Sequence, residues 1–184
     1  LGSFMNRLGA VRACQENAER LLRDGALLAV FPEGEKGGGK PYRERYRLQR
    51  FGRGGYVKLA LRTGVPLLPV AIVGAEESYP LLHRVTAFSR ALGLPFLPVT
   101  PLFPWFGPLG LAPLPSRWRI SIGTQVLELN EQPEDAASDA GIVSALNERV
   151  RSRLQHMLDS AVAQRGSRTY AWPAFGAAVR DQTR

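Results

Sequence analysis

The order of apolar and helical segments between residues 26 and 73 constrains this chain most. Residues 26–31, ALLAVF, are a continuous apolar run, too short for a helix. Such runs suit strands covered on both faces. Residues 67–73, LLPVAIV, form a second run of this kind, with Pro66 and Pro69 constraining its entry. Between them lies GGYVKLALRT, residues 54–63, with Val57, Ala60 and Leu61 at helical spacing and Gly64 as its stop. Strand, helix, strand predicts a βαβ unit, and so an α/β fold with a mixed, largely parallel sheet flanked by helices.

The remaining segments extend this plan. Residues 13–24 predict a helix whose apolar face carries Cys14, Ala18, Leu21 and Leu22, stopped by Gly25. A further helix is expected over parts of 76–92. Residues 95–118 hold seven prolines and almost no charge, which excludes a helix or a central strand. WRISIG, residues 118–123, alternates like a strand. Residues 139–165 predict a long amphipathic helix with Val143, Leu146, Val150, Leu154, Met157 and Ala161 inward and Asp139 as cap. The expectation is one domain over residues 1–165, followed by a basic tail, residues 166–184.

The net charge is +8, mostly from arginine, with lysine only at positions 36, 40 and 58. That balance favours anionic partners: phospholipid head groups, phosphorylated ligands or nucleic acid. Arg43, Arg45, Arg47, Arg50 and Arg53 form the densest cluster, interleaved with Tyr42, Tyr46 and Phe51. It reads as a phosphate clamp or as a solvated face. Basic residues with aromatics also suit single-stranded nucleic acid. No recognised nucleic-acid module accompanies them, so nucleic acid is not expected. A single cysteine, Cys14, excludes an internal disulfide framework and fits a reducing compartment. No apolar run reaches the length of a transmembrane helix. Neither a metal site nor a cofactor is expected.

Residues 34–40 spell G-x-x-x-x-G-K, most of a nucleotide-binding P-loop. The next position should be Ser or Thr, whose hydroxyl holds magnesium. Here it is Pro41, which has neither hydroxyl nor N–H. Glu35 would add negative charge inside an anion cradle. The nucleotide reading is therefore set aside.

Phe31-Pro32-Glu33-Gly34 closes the first apolar run, and Val-Pro-Leu-Leu-Pro-Val-Ala follows at residues 65–71. This pairing resembles the glycerolipid acyltransferases, the family of lysophosphatidic acid, glycerol-3-phosphate, monoacylglycerol and diacylglycerol acyltransferases. The resemblance covers roughly residues 5–125. It implies transfer of an acyl chain from a thioester, on coenzyme A or acyl carrier protein, to a hydroxyl of a glycerol-based acceptor. It also implies acceptor binding by Phe31, Pro32, Glu33, Gly34 and Lys36. An upstream glycine-arginine block of the family aligns with Gly9 and Arg12, or places Gln15 in the arginine slot. The resemblance assigns support of the acyl-donor site to the proline-bearing strand, with Pro66 and Pro69; Arg45, Arg47, Arg50 and Arg53 are the candidate clamp for the phosphates of coenzyme A or of lipid head groups.

Two departures stand out. The family's catalytic His and Asp are spaced H-x-x-x-x-D. Here His83 is followed at that spacing by Phe88, and His156 by Ala161. No catalytic base is assigned in this chain, and the expectation is that it lacks the N-terminal part bearing the motif, or is an inactive homologue. Second, Glu35-Lys36 stands where the family commonly has Thr-Arg. That suits a less charged acceptor than a phosphate. Phe96, Phe103, Trp105, Phe106 and Trp118 line an acyl groove, meet a bilayer interface, or cover the core. The expected location is cytoplasmic, peripheral to the inner face of a membrane. The alternative is a non-catalytic module for anionic lipid surfaces.

Overall fold

The structure, a computed structural model, describes residues 7, 9, 14–85, 97–124, 132, 133 and 135–165. It is mixed α/β and falls into two compact units. The first comprises residues 1–37, 48–69 and 122–154, the second residues 38–47, 70–121 and 155–184.

In the first unit, α1 (Gln15–Arg23) packs against α3 (Gly55–Thr63). Helix α1 ends as its sequence predicts. Gly25 takes a left-handed φ of 75°. Its N–H donates to the Leu22 carbonyl at 3.1 Å, and the Ala26 N–H to the Leu21 carbonyl at 2.9 Å. This pair of bonds satisfies the carbonyls a helix end leaves open.

The unit's core is Phe51, Val57, Val143, Leu146 and Val150. The last three come from the long helix α5 (Ala140–Arg165). Asp139 caps that helix as expected: its Oδ1 accepts from the N–H groups of Gly141 at 2.7 Å and Ile142 at 3.0 Å. Gly54 opens α3 with φ 72°. A Cβ there would lie 2.7 Å from Val143 Cγ1, so only glycine lets the start of α3 approach α5 this closely. Tyr56 OH donates to Asn147 Oδ1 at 2.8 Å, and Asn147 Nδ2 donates to the Gly52 carbonyl at 3.1 Å.

Residues 26–31 are the first correction. They form no strand among the described residues, and they are not buried: Leu27 is 97% and Phe31 79% exposed. An all-apolar strand holds only with neighbours at its edges and layers on its faces. The described residues supply neither.

The second unit holds both sheets. Strands β1 (Val70–Val73) and β4 (Arg119–Ile122) pair as one two-stranded sheet. They run antiparallel, since Gly74, just past β1, packs against the Arg117 carbonyl just ahead of β4. Strands β2 (His83–Val85) and β3 (Leu97–Val99) pair antiparallel, His83 opposite Val99. The expected largely parallel sheet is therefore not formed among the described residues. Antiparallel neighbours need no crossover helix, so short strands separated by proline-rich turns pair readily this way.

Proline decides two further local features. Among the described residues of the span 76–92, the expected helix is α4 (Ala75–Ser78), which ends where Pro80 forces the residue before it out of helical geometry. His83 therefore lies on a strand, exposed. Pro98 does enter a strand, β3, opposite Arg84. A two-stranded sheet consists of edges, where a missing N–H is tolerated. The rest of 76–92 beyond Val85, Phe96 and the expected tail at 166–184 lie outside the described residues.

Candidate functional site

The site begins as a turn. The Gly34 N–H donates to the Phe31 carbonyl at 3.1 Å, with Gly34 at φ 58°. Pro32 thus occupies the second position of a four-residue turn, where its fixed φ fits. A one-turn helix, α2 (Glu35–Gly38), follows. Two contacts tie the turn to the segment that leads into α3. The Gly52 N–H donates to the Pro32 carbonyl at 3.2 Å. The Gln49 N–H donates to Glu33 Oε1. Gly37 lies directly against the Glu33 side chain, and a Cβ there would collide with the carboxylate.

Glu33 is half-buried, while Phe31 and Gly34 face solvent. A carboxylate holding a backbone N–H has lone pairs left to accept hydroxyl hydrogens. It is also a brace, a role that the spacing of residues 33 and 49 does not reveal. The side chain of Lys36 and the whole of Arg12 lie outside what the structure describes.

The predicted phosphate clamp draws on residues of both units. Arg50 and Arg53 are exposed in the first unit, Arg45 and Arg47 exposed in the second. Arg45 stacks over the Tyr42 ring, 4.6 Å from its centroid. Pro66 is exposed. Pro69 is buried, and its carbonyl accepts the Gly123 N–H at 2.9 Å.

Lys40, the lysine of the apparent P-loop, is engaged elsewhere. Its Nζ lies 2.6 Å from Glu76 Oε1 and donates to the Arg47 carbonyl at 2.8 Å. Beside it, Glu76 Oε2 accepts the Tyr46 N–H at 2.6 Å. Arg165 Nη2 donates to Glu77 Oε1 at 2.7 Å, and Arg165 Nη1 to Tyr46 OH at 3.1 Å. Glu77 is 1% exposed, and its Oε2 has no hydrogen-bond partner among the described residues. Sequence reasoning missed this polar hub. Its signal was two adjacent carboxylates directly after β1, in GAEES.

In the first unit, burial raises the Tyr56 phenol well above its usual range, and Glu148 adds to the rise. The Glu148 carboxyl is held below the usual range, chiefly by its hydrogen bond to Arg151. Tyr56 joins α3 to α5 through Asn147, whereas Glu148 and Arg151 form an exposed pair along α5 itself. Among the described residues no cluster of metal-ligating side chains occurs.

The comparisons with known proteins meet this turn. Residues 1–73, which contain it, match the family model described as Acyltransferase. That segment is similar to the acyltransferase family, in line with the FPEG resemblance. An uncharacterized protein of Mycobacterium tuberculosis (strain ATCC 25618 / H37Rv) is 47% identical over 165 residues, 90% of this chain and 46% of its own length. One of Mycobacterium leprae (strain TN) is also 47% identical over 165 residues, covering 90% and 45%. A Gallus gallus protein named as a "DGAT1/2-independent enzyme synthesizing storage lipids" is 25% identical over 126 residues, 68% of this chain and 35% of its length. The chain spans about half the length of the mycobacterial relatives it matches. No solved structure matches.

Proposed function

We propose that the chain forms part of an enzyme that moves a fatty acyl chain from an acyl thioester, on coenzyme A or a carrier protein, to a hydroxyl of a glycerol-based lipid. In that reaction the acceptor oxygen attacks the thioester carbonyl, a base takes its proton, and the thiolate leaves. No residue of this chain is assigned as the base; His83 and His156 are both exposed and neither begins H-x-x-x-x-D. The chain's own contribution is the FPEG turn. Glu33 would accept the glycerol hydroxyls, and Gly34 would leave room for the acceptor to approach the backbone.

The observation that carries this reading is the braced turn lying within the segment that matches the acyltransferase family. The relative named for storage-lipid synthesis supports a lipid acceptor. Lys36 beside Glu35 favours an acceptor of low charge, such as a monoacyl- or diacylglycerol. The site of action proposed is the inner face of a membrane, met peripherally.

The test is thiol release by the complete gene product, supplied with acyl-coenzyme A or acyl carrier protein and a panel of glycerol-based acceptors. Acceptor-dependent release is expected. Its absence with every acceptor, in a product lacking H-x-x-x-x-D, would favour the non-catalytic lipid-binding alternative.

A further inference from the structure

The least explained feature of the second unit is the loop at residues 101–111. Residues 97–116 contain no Asp, Glu, Lys, Arg or His. At the loop's tip Trp105 is 80%, Phe106 64% and Leu109 80% exposed. Large apolar side chains held outward on an uncharged loop require an apolar occupant.

The loop is built to keep that shape. Thr100 is buried at its base. Its Oγ1 accepts the N–H groups of Leu102 at 3.3 Å and Phe103 at 2.9 Å, and donates to the Gly110 carbonyl at 3.3 Å. The Thr100 N–H donates to the Phe103 carbonyl at 3.0 Å, and the Phe106 N–H to the Leu102 carbonyl at 2.9 Å. Gly110 packs so closely that a Cβ would stand 2.5 Å from the Leu102 carbonyl oxygen. Turns around the short 3-10 helix Gly107–Leu111 are closed by Gly107 N–H to the Pro104 carbonyl at 2.8 Å and Ala112 N–H to the Leu109 carbonyl at 3.1 Å. The backbone thus satisfies many of its own polar groups, as a segment leaving water must.

We propose that this loop is a shallow membrane anchor, with Trp105, Phe106 and Leu109 seated in the head-group and upper acyl region of an anionic bilayer. Three observations select lipid over a protein partner. The three exposed side chains offer only about 500 Å² of apolar surface, below the roughly 800 Å² per partner of a stable dimer. Tryptophan and phenylalanine on an amphipathic element are the residues favoured at a bilayer interface. The chain leaves the loop through exposed Arg117 and Arg119, neither in an ion pair among the described residues. In a chain of net charge +8 they complement anionic head groups. No described helix is long and apolar enough to cross a membrane.

The anchor gives the proposed acyltransferase access to a membrane-borne acceptor, and in that sense it rests on that reading. Its test does not use turnover, so the two fail separately. The full chain carrying Trp118→Phe and Trp172→Phe, its melting temperature checked first, leaves Trp105 as the reporting fluorophore. It is mixed with vesicles of phosphatidylcholine alone or with phosphatidylserine, with and without brominated acyl chains. Blue-shifted emission and quenching by bromine are expected, stronger on the anionic vesicles and falling with salt. In the otherwise native chain, W105S/F106S/L109S should lower the vesicle partition coefficient about tenfold or more without changing the melt. Vesicle binding with Trp105 unquenched would overturn the proposal. So would a triple variant that binds as the parent does, or one whose only change is conversion of a dimer to a monomer.

Discussion

Glu33 is braced to a backbone amide, and its replacement separates folding from chemistry. Glu33→Ala removes the carboxylate that accepts the Gln49 N–H. A hydrogen bond to an ionised acceptor contributes about 1.5–3 kcal/mol. The carboxylate is half-buried, so water recovers part of this, leaving about 1–2 kcal/mol. In a chain of 184 residues, each kcal/mol shifts the melting temperature by roughly 2–4 °C. A fall of about 2–8 °C is therefore expected for Glu33→Ala. Glu33→Gln keeps an acceptor oxygen at the same place and should melt within about 2 °C of the parent. Far-ultraviolet circular dichroism reads both melts, and thiol release by the complete gene product reads turnover. Glu33→Gln should hold the turn yet slow acceptor use, because an amide is a poorer acceptor than a carboxylate. If both variants melt like the parent, the brace is refuted. If Glu33→Gln turns over at the parental rate, the acceptor role of the charge is refuted.

Three further outcomes are expected. Gly54→Ala meets both a left-handed φ and the Val143 methyl, and should cost about 2–3 kcal/mol by urea denaturation; the cost should shrink in a Val143→Ala background. Tyr56→Phe loses the bond to Asn147 and should cost about 1 kcal/mol near neutral pH. Because the folded phenol titrates above its unfolded value, Tyr56 stabilises fully below about pH 10 and progressively less above it. Denaturation midpoints for parent and Tyr56→Phe should therefore converge as pH rises past about 10. Lys40→Ala should lower stability by about 2 kcal/mol through loss of its Glu76 contact, while calorimetry finds no magnesium-dependent ATP binding in the parent to lose.

Local chemistry was legible where one residue decides one turn. Gly25, Gly64, Asp139 and the Pro32-Gly34 turn all act as their types dictate, and α3 and α5 keep the apolar faces their spacing predicts. Contacts between distant segments were not legible. An apolar run such as 26–31 states a need for neighbours, and nothing in its composition says whether they are present. The end of α4 at Ser78 follows from the restriction Pro80 places on Tyr79. Glu77 defeats the default that carboxylates face water, since its partner Arg165 lies at the far end of α5. The family resemblance pointed to the FPEG turn because four adjacent residues and a proline block carry it, and the turn lies within the segment that matches the family model. It could not reveal that Glu33 also holds the amide of Gln49.

The clamp around Thr100 leaves the outermost residues of its loop with little architectural duty. Shape there is set by one hydroxyl, several peptide groups and the close fit of Gly110. Positions 105, 106 and 109 can therefore drift in evolution, or be exchanged at the bench, largely independently of the scaffold beneath. Relatives with different side chains at this tip should fold alike and differ in the surfaces to which they adhere.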